Sequence, residues 1–179
     1  MAKTYTAPTT VSAGDAITAS LYNTYVGTNV ANLIVPPTCR VQLASNQTFS
    51  NATWAALDYG TEAWDTDSMF TAATNYIEIN TAGLYQISFS INFAANATND
   101  RIAYVTLNTA TINGSGNIFG ASGKGISTTD NRMTGSCLVN LAVTDRLRVI
   151  GYQNSGGSLA TVNTGFENFL AAVWVGRTA

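Results

Sequence analysis

Tyr85-Gln86-Ile87-Ser88-Phe89-Ser90-Ile91-Asn92-Phe93 is the stretch on which the fold turns. Large apolar and small polar residues alternate through all nine positions. A period of two puts every aromatic or branched side chain on one face and every Gln, Ser or Asn on the other, the signature of a strand with one buried face. Weaker runs of the same kind lie at residues 41–44, 76–79, 102–107, 135–141, 147–152 and 169–175. Turn-forming residues separate them at 81–83, 96–100, 113–114, 144–145 and 154–158. Short strands at this spacing, with no long helical pattern between them, predict an all-β sandwich or barrel.

The chain has 179 residues, enough for one domain with a sizeable core. Hydrophobic residues make up 46% and charged residues only 10%, against about 25% charged in an average globular protein. Uncharged Thr, Ser, Asn and Gln must supply the polar surface. A surface so poor in charge fits a protein that is docked against others, and equally a plain Thr-rich β protein. The net charge is −2, and the eight cations are scattered along the chain, with no run that would neutralise a row of phosphates. Nucleic acid is therefore not an expected partner. No stretch reaches the roughly 18 apolar residues of a membrane helix, and the first residues lack the apolar run of a secretion signal. The sequons at Asn46, Asn51, Asn96 and Asn113 then read as products of a Thr- and Asn-rich composition.

Residues 1–37 read as a separate arm, with the main domain at 38–179. Thr4 to Thr10 is β-prone and broken by Pro8. Thr18 is a candidate helix N-cap, with Ile17 and Tyr22 at the positions of a hydrophobic staple. Tyr22, Tyr25, Val26, Val30 and Leu33 follow at helical spacing and form one stripe. Gly27 weakens the helix, and Pro36-Pro37 stops it. A short helix with one apolar stripe cannot make its own core. It must lie on the main domain, on a sister subunit, or on another protein.

Tyr59, Asp65, Phe70, Ile77, Gly83, Tyr85, Ile87 and Phe89 stand at the offsets of a spaced pattern. The pattern is aromatic, five residues, Asp or Asn, four residues, aromatic, six residues, Phe, five residues, then Gly-x-Tyr-x-Phe-x-aromatic. With Tyr for Phe at position 59 and Ile for Phe at positions 77 and 87, the chain resembles the C1q family over these 31 residues. Residues 139–149 resemble that family's hairpin of strand, Leu, turn with Asp, and strand, and residues 166–175 resemble its closing strand. The resemblance extends over about residues 38–176. It implies a C1q/TNF-like jelly-roll sandwich of about ten strands that assembles as a threefold homotrimer.

Gly14-Asp15, Thr18-Ala19, Asn23, Val26 and Asn29-Val30 resemble the openings of many phage structural proteins, which precede modules displayed on the particle. This implies a virion surface location for a protein made in the host cytoplasm. The implied partners are other virion proteins, major capsid or tail proteins, or alternatively a host-surface glycan.

The chemistry is sparse. The chain has no histidine, so the commonest general base and metal ligand is missing. In Asn113-Gly114-Ser115-Gly116-Asn117-Ile118-Phe119-Gly120-Ala121-Ser122-Gly123-Lys124-Gly125, Ile118 and Gly125 stand where a P-loop needs Gly and Ser or Thr. A flexible loop is expected there instead, suited to a binding surface. Asp58, Glu62, Asp65 and Asp67 are the concentrated carboxylates. Asp65 and Asp67 would share one side of an extended strand, so an acid pair or a Ca²⁺ site is the chemical reading and a solvated loop the plain one. Trp54 and Trp64 flank this stretch and invite a sugar-stacking reading, whereas Trp174 sits in an apolar strand suited to packing. Cys39 and Cys137 read as small apolar residues, or as a disulfide if the first and last thirds of the chain meet. No catalytic residue and no cofactor are expected.

Overall fold

A computed structural model describes residues 12–110, 116–164 and 167–177. The 4–10 stretch, the 113–114 turn with the Asn113 sequon, and Phe166 lie outside them. Three short helical pieces come first: α1 (Ala19–Tyr22), a π-helical turn (Asn23–Gly27) and α2 (Thr28–Ile34). Twelve strands follow: β1 (Thr38–Gln42), β2 (Thr48–Phe49), β3 (Thr53–Ala56), β4 (Thr61–Asp65), β5 (Ile77–Glu78), β6 (Gly83–Phe93), β7 (Asp100–Leu107), β8 (Asn117–Lys124), β9 (Asn131–Leu141), β10 (Arg146–Gln153), β11 (Leu159–Ala160) and β12 (Phe169–Gly176). Among the described residues no helix is long and apolar enough to cross a membrane.

The strands form two antiparallel sheets. Sheet one has the order β4-β1-β12-β6-β9, and sheet two runs β3-β10-β7-β8 with β5 also paired to β10. The short pair β2 and β11 closes one end. Alternation in β6 decides the packing. Tyr85, Ile87, Phe89, Ile91 and Phe93 are all buried and face Ala103, Val105, Leu147 and Val149 of sheet two. Fully burying one such side chain is worth roughly 1.5–3 kcal/mol. Phe49 and Phe93 add an edge-to-face contact at 5.2 Å.

Residues 139–149 depart from the hairpin that the resemblance implies. β9 ends in sheet one at Leu141 and β10 begins in sheet two at Arg146, so the turn carries the chain across the sandwich. Asp145 holds that turn by accepting from the Ala142 amide at 2.8 Å. The flexible loop expected at 113–125 is also corrected. Residues Asn117–Lys124 form β8, paired along β7. Gly120 sits opposite Tyr104, and a Cβ there would overlap the Tyr104 ring and the Ala103 carbonyl. That close approach is why a Gly-rich segment can still be a strand.

Cys39 and Cys137 are free, Cys39 buried and Cys137 half-buried. They lie in one row across sheet one, Cys39–Ala172–Ile87–Cys137. Three strand spacings separate them, about 14 Å, too far for a disulfide. Burial pushes both thiols above their ordinary range, with Asp65 and Glu62 adding to the effect at Cys39.

Candidate functional site

The eight spaced residues are structural. Tyr59, Ile77, Tyr85, Ile87 and Phe89 belong to the core, with Phe70 packed against it. Gly83 has φ +154°, and a Cβ there would overlap the Trp174 indole nitrogen, which donates to the Ala82 carbonyl at 3.2 Å. Trp174 itself packs on the core.

The acidic stretch does not form the arrangement expected of it. β4 ends at Asp65, and Asp67 lies beyond it in a turn, fully buried. Asp65 accepts from the Asp67 amide at 2.9 Å and the Phe70 amide at 2.8 Å. Asp67 accepts from the Thr81 hydroxyl at 2.8 Å. Thr81 in turn offers its carbonyl to the Tyr85 hydroxyl at 2.6 Å. Burial, with the Asp67 charge, pushes that phenol above its ordinary range. The two carboxylates therefore tie the turn after β4 to the start of β6. Among the described residues no cluster of three or more His, Cys, Asp or Glu could hold a metal ion. Asp58 lines a cleft of about 400 Å³ with Leu43, Asn46, Gln47 and Tyr59, apart from Asp65 and Asp67.

The surfaces are more informative than any pocket. On the outer face of sheet one, Val173 on β12 and Leu138 on β9 lie in the row Thr38–Val173–Gln86–Leu138. They are 38% and 57% exposed, and Val175 and Trp64 on the same face are 55% and 46% exposed. Arg40 lies among them with its guanidinium over Phe169 at 4.4 Å and over Trp64 at 5.4 Å, so its charge is spread over aromatic faces.

The outer face of sheet two is different. It carries the ion pairs Lys124–Asp100 and Arg146–Glu78, and both Arg146 and Arg148 stack on Tyr76. Trp54 leans on Tyr152 at 4.8 Å and on Tyr104 at 5.8 Å. These rings share the outer face with Ile150, which is only 1% exposed. A cleft of about 270 Å³ lined by Asp100, Ile102, Ser122, Gly123 and Lys124 lies beside them.

Several solved structures are similar in fold to this chain. Eiger TNF from S. frugiperda superposes with a TM-score of 0.61 at 16% identity, over 80% of this chain and 96% of that one. The globular domain of zebrafish complement 1qA does so at 0.55 and 12%, over 79% and 99%. Murine APRIL gives 0.61 and 11%, over 78% and 98%. The fold is a C1q/TNF-like jelly roll. No protein-family profile matches the sequence, and no curated protein matches it. At these identities the likeness is one of fold alone.

The helix lies outside that fold. Thr18 caps it as the sequence predicts, accepting from the Leu21 amide at 3.1 Å. Ile17 and Leu33 are more than 70% exposed, and Tyr22, Val26 and Val30 more than 40%. Tyr25 is half-buried, as is Asn29, whose amide donates to the Tyr25 carbonyl at 2.9 Å. Of the three places open to the stripe, the main domain does not cover it.

Proposed function

We propose that this chain is a non-enzymatic structural module of a phage particle. It assembles as a homotrimer, is displayed on the virion surface, and is attached through residues 1–37 to a major capsid or tail protein. The observation that carries the reading is the segregation of surface character. The ion pairs Lys124–Asp100 and Arg146–Glu78 lie on the outer face of sheet two, Arg132–Glu167 sits at the far end of β9, and the middle of sheet one bares Val173, Leu138, Val175 and Trp64. A monomer gains nothing from a bare apolar sheet face, whereas a closed ring buries it once per subunit without open-ended growth. The C1q resemblance implies the threefold, and the likeness of residues 14–30 to phage openings supports the particle. Phage expressing residues 38–179 in place of the full chain should yield particles that lack the protein, read by mass spectrometry of purified virions. Particles carrying the truncated chain at full occupancy would overturn the role given to the arm.

A second reading, a receptor-binding module for a host-surface glycan, is favoured by Trp54, Tyr104 and Tyr152 beside the Asp100–Lys124 cleft. Aromatic rings next to polar groups suit a sugar, whose faces are apolar and whose edges are hydroxyls. On that reading the purified protein binds host-cell polysaccharide, and Trp54→Ala weakens binding at least about tenfold, a loss of 1.4 kcal/mol. Equal retention of both proteins on immobilised polysaccharide, or none of either, would remove this reading.

A further inference from the structure

We infer that the apolar stripe of the N-terminal helix packs against the same stripe of two further copies of this chain, so that the three helices form a bundle on the trimer axis. The inference rests on the trimer proposed above. Three observations carry it.

The first is charge. From Ala16 to Cys39 the chain contains no charged residue. Like faces of identical helices meet without repulsion only when they carry no net charge, and this helix satisfies that condition over its whole length.

The second is shape. Residues four apart drift about 40° per step around an α-helix, which would wind Tyr22, Val26 and Val30 away from a partner. The helix widens between Asn23 and Gly27, where the Thr28 amide donates to the Asn23 carbonyl five residues back. A wider turn takes back part of that drift. Tyr22, Val26, Val30 and Ile34 are all more than 40% exposed.

The third is continuity. Only Val35, Pro36 and Pro37 join α2 to β1, and consecutive prolines leave the chain little freedom. β1 begins at Thr38, which pairs with Val173 in the row that bares Leu138. A threefold axis facing Val173 lies about one strand spacing from Thr38, so the three chains leave β1 near the axis and their helix ends gather around it. The arm before Ile17 is then left to meet the particle.

Cysteines placed in the full-length chain test this. Val26→Cys is oxidised in one protein and Thr24→Cys, on the opposite side of the helix, in another. Sedimentation is measured on each before oxidation. The expected result is a trimer in both cases. Disulfide-linked dimers should form in Val26→Cys, up to about two of every three chains, since three equivalent thiols can make one pair per trimer. Thr24→Cys should form few or none. A trimer in which Val26→Cys does not cross-link, or cross-links no better than Thr24→Cys, overturns the bundle and leaves the trimer standing. A monomer overturns the trimer and the bundle with it.

Discussion

Replacing Arg101 with alanine is expected to lower the unfolding free energy by about 3 kcal/mol. Arg101 faces inward from β7, in register with Gln153 of β10, and is fully buried. Its guanidinium donates to the carbonyls of Thr98 and Asp100 at 3.0 Å each and of Asn96 at 3.2 Å. The side chain thus fastens the whole loop before β7 from beneath. Gln153 does the same next door, donating to the Phe49 and Gly157 carbonyls at 2.9 and 2.8 Å. Burial draws the Arg101 pKa below its ordinary value, with the Asp100 carboxylate pulling the other way. The group still stays charged across any working pH, because arginine starts so high. Alanine leaves a void and takes a donor from three carbonyls, of which Asp100's keeps the Asn154 amide at 3.3 Å. For a domain of this size the loss corresponds to a fall in Tm of about 10 °C, measured at one protein concentration because an oligomer's Tm depends on it. Arg101→Lys should fall between, keeping the charge but not the forked donor. A loss below about 1 kcal/mol in Arg101→Ala would contradict the role given to the loop carbonyls.

The double substitution Val173→Asp, Leu138→Asp is expected to leave a folded monomer. Both side chains point outward from sheet one, so the sandwich loses no core contact. In an assembled ring the aspartate at position 138 would be buried with no cation beside it, and the one at 173 would have only Arg40, already held over Trp64 and Phe169. Such a charge costs about 3 kcal/mol or more, over 100-fold in the association constant for each contact. Far-ultraviolet circular dichroism should remain that of the parent while the sedimenting mass drops to one chain. An undiminished trimer would mean that the bare face of sheet one is not the interface.

The strands legible in the sequence are those with one sealed face. β6, β7, β9, β10 and β12 each overlap the runs read from alternation, because their inward side chains meet the opposite sheet. β8 was hidden because an edge strand needs less apolar burial, and because Gly120 and Gly123 lie where ring and methionine side chains approach the backbone. β2 and β11 are two residues long and carry no period at all, whereas β5, equally short, falls within the run read at 76–79. The carboxylates misled for a related reason. Asp65 stood at the Asp of the spaced pattern, but the pair also read as solvated or ligating, and their acceptors are instead filled by amides and a hydroxyl from turns that only the fold brings near. Arg101 gave no signal, since a cation beside a turn ordinarily reads as solvated. The helix was the reverse case. Its cap and stripe were plain in residues 17–33, but the π-helical turn and the half-buried setting of Tyr25 were not.

Sedimentation velocity of the unmodified full-length chain tests the assembly most directly. With a chain mass of 18.8 kDa, a homotrimer should sediment as a single species near three times that, about 56 kDa, unchanged on dilution to micromolar concentration. A single species at 18.8 kDa would contradict it.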